Sequence, residues 1–558
     1  MRLLAVLLAL GAFEAPLSAQ EPQDSTQFSQ VMGAERVYRV YLPGAYADAK
    51  KRFPVIYWFH GYESSDIRAG QSKTFAEYVA AHEVIVVDLG PVETTGQFPL
   101  YLPELMEHVD QTVRTVADRE HRGVSGYSVG GFLAHWTAVK FPDLVASASD
   151  VNGVMEAPLG PRGFDVDCDL DDLRPAGSGV ANLNHAANAA AALDFHMQAF
   201  AKPPAKPALF SHVDPYPNFS IWNWEVASNR RQPGFVSLEN VSARGFHSVV
   251  REWLPGGAAL TGTKVDIETP AKLYTPNSTH PVTIVHVPDG KVRRAVQKAD
   301  AQGRMSFELD GDDYEVGISA EPAVAVSGAE VADAAWATAG KPVQLRVKFW
   351  NVGGARSGTL PIQWESPDPH VKFETPSGRL FGMGSGESVS LPVTFTYDGE
   401  APGSAHIVAV EGTNRLPFDV PMFPAAEPAK NFLIADGRPL EAFQHGTQKS
   451  EVTLGEGNGD GNAAPSESFA ILLPDADSFR VAELFTNDAC VDNTVRDADD
   501  WGSGVSVNYS VARIRPECQP GHRVHFLARV YSQTPNGPVP HYATIELPVW
   551  YRTQGQQK

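Results

Sequence analysis

At 558 residues the chain is too long for one hydrophobic core, and with 43% hydrophobic and 10% aromatic residues it lies outside the composition of disordered proteins. A net charge of −21 excludes nucleic acid or an anionic membrane as the main partner, because phosphate binding needs concentrated Lys and Arg. No CxxC or HExxH spacing argues for a metal, and no cofactor is expected.

The first residues, MRLLAVLLALGAFEAPLSAQ, set Arg2 before a short apolar run, Leu3 to Phe13, and small residues at Ser18 and Ala19. That is the layout of a secretory leader over residues 1–19, too short to span a bilayer, and it predicts a secreted or periplasmic location. From residue 27 to 258 strand-like and helix-like runs alternate, the pattern of an α/β fold with a largely parallel sheet. RVYRVYLP (Arg36 to Pro43) alternates, whereas FPVIYWFHG (Phe53 to Gly61) and EVIVVDLG (Glu83 to Gly90) are continuous apolar runs ending in Gly, as in strands buried on both faces. LPELMEHVDQTVRTVAD (Leu102 to Asp118) has helical spacing. The stretch 161–207, rich in Gly, Pro and Asp and then in Ala and Asn, reads as an inserted cap carrying a helix.

Beyond Pro255-Gly256-Gly257 short alternating strands separated by Gly, Asp, Asn and Pro predict β-sandwich modules at 263–320, 321–424 (with an Ig-like rhythm) and 425–555. Of three cysteines, Cys490 and Cys518 fall in the last module and are expected to pair, leaving Cys168 free; acidic neighbours around Cys168 argue against a nucleophilic thiol. GEGNGDGN (Gly455 to Asn462) has the look of a calcium loop but lacks the spaced carboxylates, and reads as a turn.

Chemistry concentrates around GYSVGGF, Gly126 to Phe132, where a strand (HRGVSG) runs into a helical pattern (GGFLAHWTAVKFPDL). Gly-x-Ser-x-Gly between a strand and a helix is the form of a nucleophile elbow, with Ser128 at its tip. The oxyanion donors expected for it are the backbone N–H groups of Val129, which follows the nucleophile, and Tyr62, after the His60-Gly61 turn; His60 itself reads as a structural residue of that turn or a substrate contact. The expected base is His247, read as lying in a loop before a short amphipathic helix, and the expected acid is Asp214, past the end of a strand at Ala208 to Val213. Asp150 is the competing acid. The chain order Ser128, Asp214, His247 is that of an α/β-hydrolase. Trp222 and Trp224, two apart, share one face of an extended segment and either line a sugar or aryl cleft or pack inside the domain.

RVYRVYLPGAYADAKKRFPVIYWFHGYESSD, HRGVSGYSVGGFLAHWTAVKFPDLVASASDVNG and GFHSVVREW together resemble the esterase D and feruloyl esterase type of α/β-hydrolase, which includes the mycolyltransferases, over Gln27 to Pro255. The resemblance implies Ser-acid-His acyl transfer on an ester, with Tyr62 and Val129 as oxyanion donors. The expectation is a serine esterase acting on an acyl ester, carbohydrate-linked or otherwise extracellular. Alternatives are a peptidase or acyltransferase of the same fold, or a non-catalytic surface or carbohydrate-binding protein.

Overall fold

The computed structural model describes residues 21–550, except 62–64, 92–97, 152–155, 160–165, 170–178, 184–188, 253–257, 333, 446–447, 501–504, 520 and 535–536. The leader 1–19, Tyr62 and most of 161–188 therefore lie outside the described residues, as does the side chain of Cys168. The chain divides into two compact units, residues 1–207 and 208–558.

In the first unit, strands β1 (Gln23–Ser29), β2 (Ala34–Tyr41), β3 (Val55–His60), β4 (Ile85–Pro91), β5 (Arg122–Tyr127) and β6 (Ser147–Val151) are followed by a small hairpin, β7 (Glu156–Leu159) with β8 (Val166–Asp169), and then β9 (Gly179–Leu183). The helices are α1 (Ser65–Ala81), α2 (Phe98–Thr112), α3 (Val129–Lys140) and α4 (Ala189–Ala201). The main sheet has the order β1-β2-β4-β3-β5-β6-β9. β3 pairs in parallel with β4 and β5, and β6 with β5 and β9, while β1 and β2 form an antiparallel edge. Every residue of β3 is buried, which is why it reads as an unbroken apolar run rather than an alternating one.

Glycines on β5 reveal which helix covers which face. A Cβ at Gly123 would collide with His196 of α4, whereas one at Gly126, three residues on and so on the opposite face, would collide with the Gly130 carbonyl of α3. The expected cap is corrected here. The buried residues of α4, Ala189, Ala192, Leu193, His196 and Phe200, recur at helical spacing, and its apolar side packs with Ile56, Trp58 and Phe75 in one core against the sheet. So α4 is a layer of the fold, and β9 is a strand of the main sheet. The small size of Ala made this stripe look like low-complexity sequence.

The α/β pattern ends at residue 207 rather than 258. β10 (Phe210–Asp214), β11 (Asn218–Ile221), β12 (Trp224–Ser228), β13 (Phe235–Ser242) and β14 (Gly245–Arg251) are joined by short turns, and a parallel crossover needs a dozen residues or more. They pair antiparallel with one another and with β15 (Leu260–Glu268), β16 (Thr279–His286), β17 (Lys291–Lys298), β18 (Ser306–Gly311) and β19 (Tyr314–Ile318). Two sheets result, β10-β13-β14-β19-β16-β17 and β11-β12-β15-β18. Trp224, Phe246 and Phe307 meet edge to face between them.

Residues 324–423 form two further sheets around one core that includes Phe349, Trp364 and Phe395. Residues 427–548 build the C-terminal sheets, and there Cys490 and Cys518 form a disulfide. No described helix is long and apolar enough to cross a membrane.

Candidate active site

Ser128 stands between the end of β5 and the first residue of α3, with φ 55° and ψ −125°. A non-glycine residue in that region carries strain of about 1–3 kcal/mol. Its surroundings hold it there. The Ser128 N–H donates to the Val151 carbonyl (3.1 Å), and its own carbonyl accepts from the N–H groups of Gly131 (2.8 Å) and Phe132 (3.2 Å). The flanking glycines are sterically required: a Cβ on Gly126 would strike the Gly130 carbonyl, and one on Gly130 would strike the carbonyls of Phe59 and His60 on β3. Ser128 remains half-buried at the strand end, as a side chain meeting a ligand must be.

Val129 opens α3, so its N–H belongs to the first turn, which helix geometry leaves without intrahelical acceptors and where the helix dipole favours negative charge. His60 ends β3 beside this turn. Its Nε2 lies 2.7 Å from Asp88 Oδ1, both side chains buried, and the pair faces the α1 and α4 side with Trp58. His60 thus anchors the strand end that leads into Gly61. Tyr62 lies outside the described residues.

Asp150 sits at the end of β6, in register with Gly126, and faces α3, where its Oδ2 lies 3.7 Å from His135 Nδ1. His135 is seven residues along α3 from Ser128, two turns down the helix, so this pair lies beneath the elbow. A feature that escaped the sequence reading is His196. It is fully buried, with Nδ1 at 2.7 Å from Ser147 Oγ and Nε2 at 2.8 Å from Ser125 Oγ and 3.2 Å from Ser149 Oγ. Burial pushes its pKa down to about 3, so it is a neutral clamp joining α4 to β5 and β6. The serines of VSG and SAS on adjacent strands were the available signal.

Asp214 and His247 belong to the second unit, and Ser128 to the first. They do not form the expected pair. Asp214 is in register with Val236, and Val236 with Val250; His247 is in register with Glu239 and Glu315. Side chains alternate along a strand, and Val250 is three residues from His247, so the two residues project from opposite faces of one sheet. Asp214 is fully buried, its Oδ2 at 3.0 Å from His212 Nε2 and its Oδ1 accepting the Tyr216 N–H (2.9 Å).

His247 is in strand β14, where a loop before a helix was expected, and both its ring nitrogens face carboxylates: Nε2 is 2.9 Å from Asp313 Oδ1 and Nδ1 is 3.3 Å from Glu239 Oε2. Burial opposes its charged form, yet these two carboxylates outweigh burial and raise the imidazole pKa well above its ordinary value. An imidazolium so engaged has no lone pair to take a serine proton. Of the two alternatives for Trp222 and Trp224, burial favours packing inside the domain. Trp222 (φ 50°) and Asn223 (φ 63°) form the two-residue turn of the β11-β12 hairpin, and both Trp side chains are buried. A groove of about 1020 Å³ is nearby in the second unit, over β11, β12, β15 and β18, and Glu225, Asp266, Glu268 and Glu308 line it.

Residues 29–162 match the family model described as a putative esterase. The match takes in β3, the elbow and α3 and ends before β10, so esterase-type sequence and the strained serine coincide in the first unit. An esterase of Mycobacterium tuberculosis is 30% identical over 128 residues, 20% of this chain and 28% of that protein. Among solved structures, a ferulic acid esterase is 23% identical over 25% of this chain and 61% of its own, with a TM-score of 0.23. An S-formylglutathione hydrolase of Staphylococcus aureus is 19% identical over 24% of this chain and 58% of its own, with a TM-score of 0.22. The chain thus spans under a third of the curated relative and about three fifths of those solved chains.

Proposed function

We propose that the first unit is a serine ester hydrolase in which Ser128 attacks the acyl carbonyl. The observation that carries this reading is the backbone of Ser128, held at φ 55° by two glycines that tolerate no side chain, within sequence of the esterase family. Ser128 Oγ attacks the acyl carbonyl, the N–H of Val129 and that of Tyr62 receive the oxyanion, and the ester C–O bond breaks so that the alcohol leaves carrying the serine proton; water then cleaves the acyl-enzyme, releasing the acid and restoring the Ser128 hydroxyl. The leader-like residues 1–19 and the Cys490–Cys518 disulfide favour a location outside the cytoplasm, where an acyl ester on a carbohydrate is a fitting substrate.

A second reading, a hydrolase-like unit without turnover, is favoured by one observation: His247 and Asp214 are both committed to other partners. Ester hydrolysis separates the two. Purified chain is assayed on acetyl, butyryl and feruloyl esters and labelled with a fluorophosphonate, with Ser128→Ala alongside. Turnover and labelling that the variant loses, by roughly 10³-fold or more in rate, support the hydrolase. Wild-type protein that neither turns over an ester nor takes the label supports the second reading.

A further inference from the structure

We propose that Asp436 and the loop Gly455 to Asn462 form a Ca²⁺ site in the C-terminal module, independent of Ser128. In sequence this loop reads as a plain turn because it holds few carboxylates; the structure brings one to it from upstream, Asp436. Asp436 follows the strand Leu433–Ala435, and its side chain is wholly buried against the loop. The Gly461 N–H donates to Asp436 Oδ2 (3.0 Å), the Gly459 N–H donates to the Asp436 carbonyl (3.2 Å), and Gly457 passes so close that a Cβ there would press on Asp436.

Asp436 Oδ1 has no hydrogen-bond partner. A buried carboxylate oxygen left so is costly, and an ion is one of the few things that resolves it. The loop carries side-chain oxygens at alternate positions, on the exposed Asn458 and Asp460. Asn458 Oδ1 accepts the Asp460 N–H (2.8 Å) and Asp460 Oδ1 accepts the Asn462 N–H (2.9 Å), while the amide Nδ2 groups of Asn458 and Asn462 donate to the Asp460 carboxylate. Those two Nδ2 bonds are the ones a cation at Asp460 would replace. Gly455, Gly459 and Gly461, at φ 74°, 76° and 78°, let the chain coil tightly enough to bring the alternate side chains together.

The side-chain donors are carboxylate and amide oxygens without thiol or imidazole, which selects a hard cation. Arg438, whose guanidinium runs alongside Gly461, adds positive charge, so the affinity belongs to the weak range, with Kd of about 10⁻⁴–10⁻³ M.

The test uses the full chain, stripped with a chelator, titrated with CaCl₂ up to ~10 mM in a calorimeter and followed by thermal unfolding. Wild type should show saturable binding and a rise in the unfolding temperature of the second unit. Asp436→Asn should lose that rise, and without Ca²⁺ should be at least as stable as wild type, because it removes a buried, half-satisfied charge. Asp460→Asn, at an exposed position, should keep the fold and bind about tenfold or more weakly. An equal rise in wild type and Asp436→Asn, or no saturable binding by wild type, overturns the site.

Discussion

Ser128 and His196 occupy the same unit and both look reactive on paper, yet their environments assign them opposite parts. Ser128 is strained, half-exposed and at a helix N-terminus; His196 is fully enclosed by three serine hydroxyls and kept neutral. A histidine whose pKa falls to about 3 on folding, from about 6.5 unfolded, binds fewer protons in the folded state across that window. Its contribution is therefore complete above pH 6.5 and is lost as pH falls toward 3, at about 1.4 kcal/mol per unit. Urea unfolding of the first unit at pH 7 and pH 4.5 should show wild type losing ~3 kcal/mol more than His196→Gln between the two. Equal losses would mean that another group controls the acid limb. The elbow could be read in sequence because Gly-x-Ser-x-Gly is local. The clamp could not, because it joins residues 71 and 49 positions apart.

Single elements show where pattern misleads. β14 and the segment before it contain the GFHSVV stretch that matches the expected setting of a catalytic base, but the short spacing of its neighbours forces hairpins, and in a hairpin sheet His247 becomes one member of a cross-strand row, Glu239, His247 and Glu315. Asp313 and Arg251 complete the cluster, with Arg251 Nη2 at 3.2 Å from Asp313 Oδ2. Burial pushes Glu315 up to about 8, against the nearby His247 charge that lowers it. Unfolded, Glu315 ionises near pH 4.5, so its contribution is complete below that and is lost as pH rises to about 8. The raised His247 acts in the same direction, losing its contribution as pH climbs through its folded pKa. The second unit should thus weaken from pH 5 to pH 8, and Glu315→Gln should flatten that slope in thermal unfolding. A slope left unchanged by the variant would rule Glu315 out as its source.

At the level of the whole chain, an α/β unit and a β-rich unit are joined at residues 207–208, and they depend on different devices. The second carries the Cys490–Cys518 disulfide, which closes a 28-residue separation. Loop-closure entropy for that span amounts to about 3.5 kcal/mol. Reduction, or Cys490→Ser with Cys518→Ser, should lower unfolding of the second unit by that order in denaturant melts while leaving fluorophosphonate labelling at Ser128 intact; loss of labelling on reduction would show that the units are coupled. The sequence alone determined the elbow, the buried parallel strands at its sides, the β character of the C-terminal half and the pairing of Cys490 with Cys518, because each rests on local periodicity, on turn residues or on counting. Only tertiary structure decided that α4 is a sheet-covering layer, that the strands after 207 form separate antiparallel sheets, that Asp214 and His247 face opposite ways, and that Asp436 meets the 455–462 loop. Those outcomes depend on which strands pair and in what register, and a shift of one residue moves every side chain to the other face.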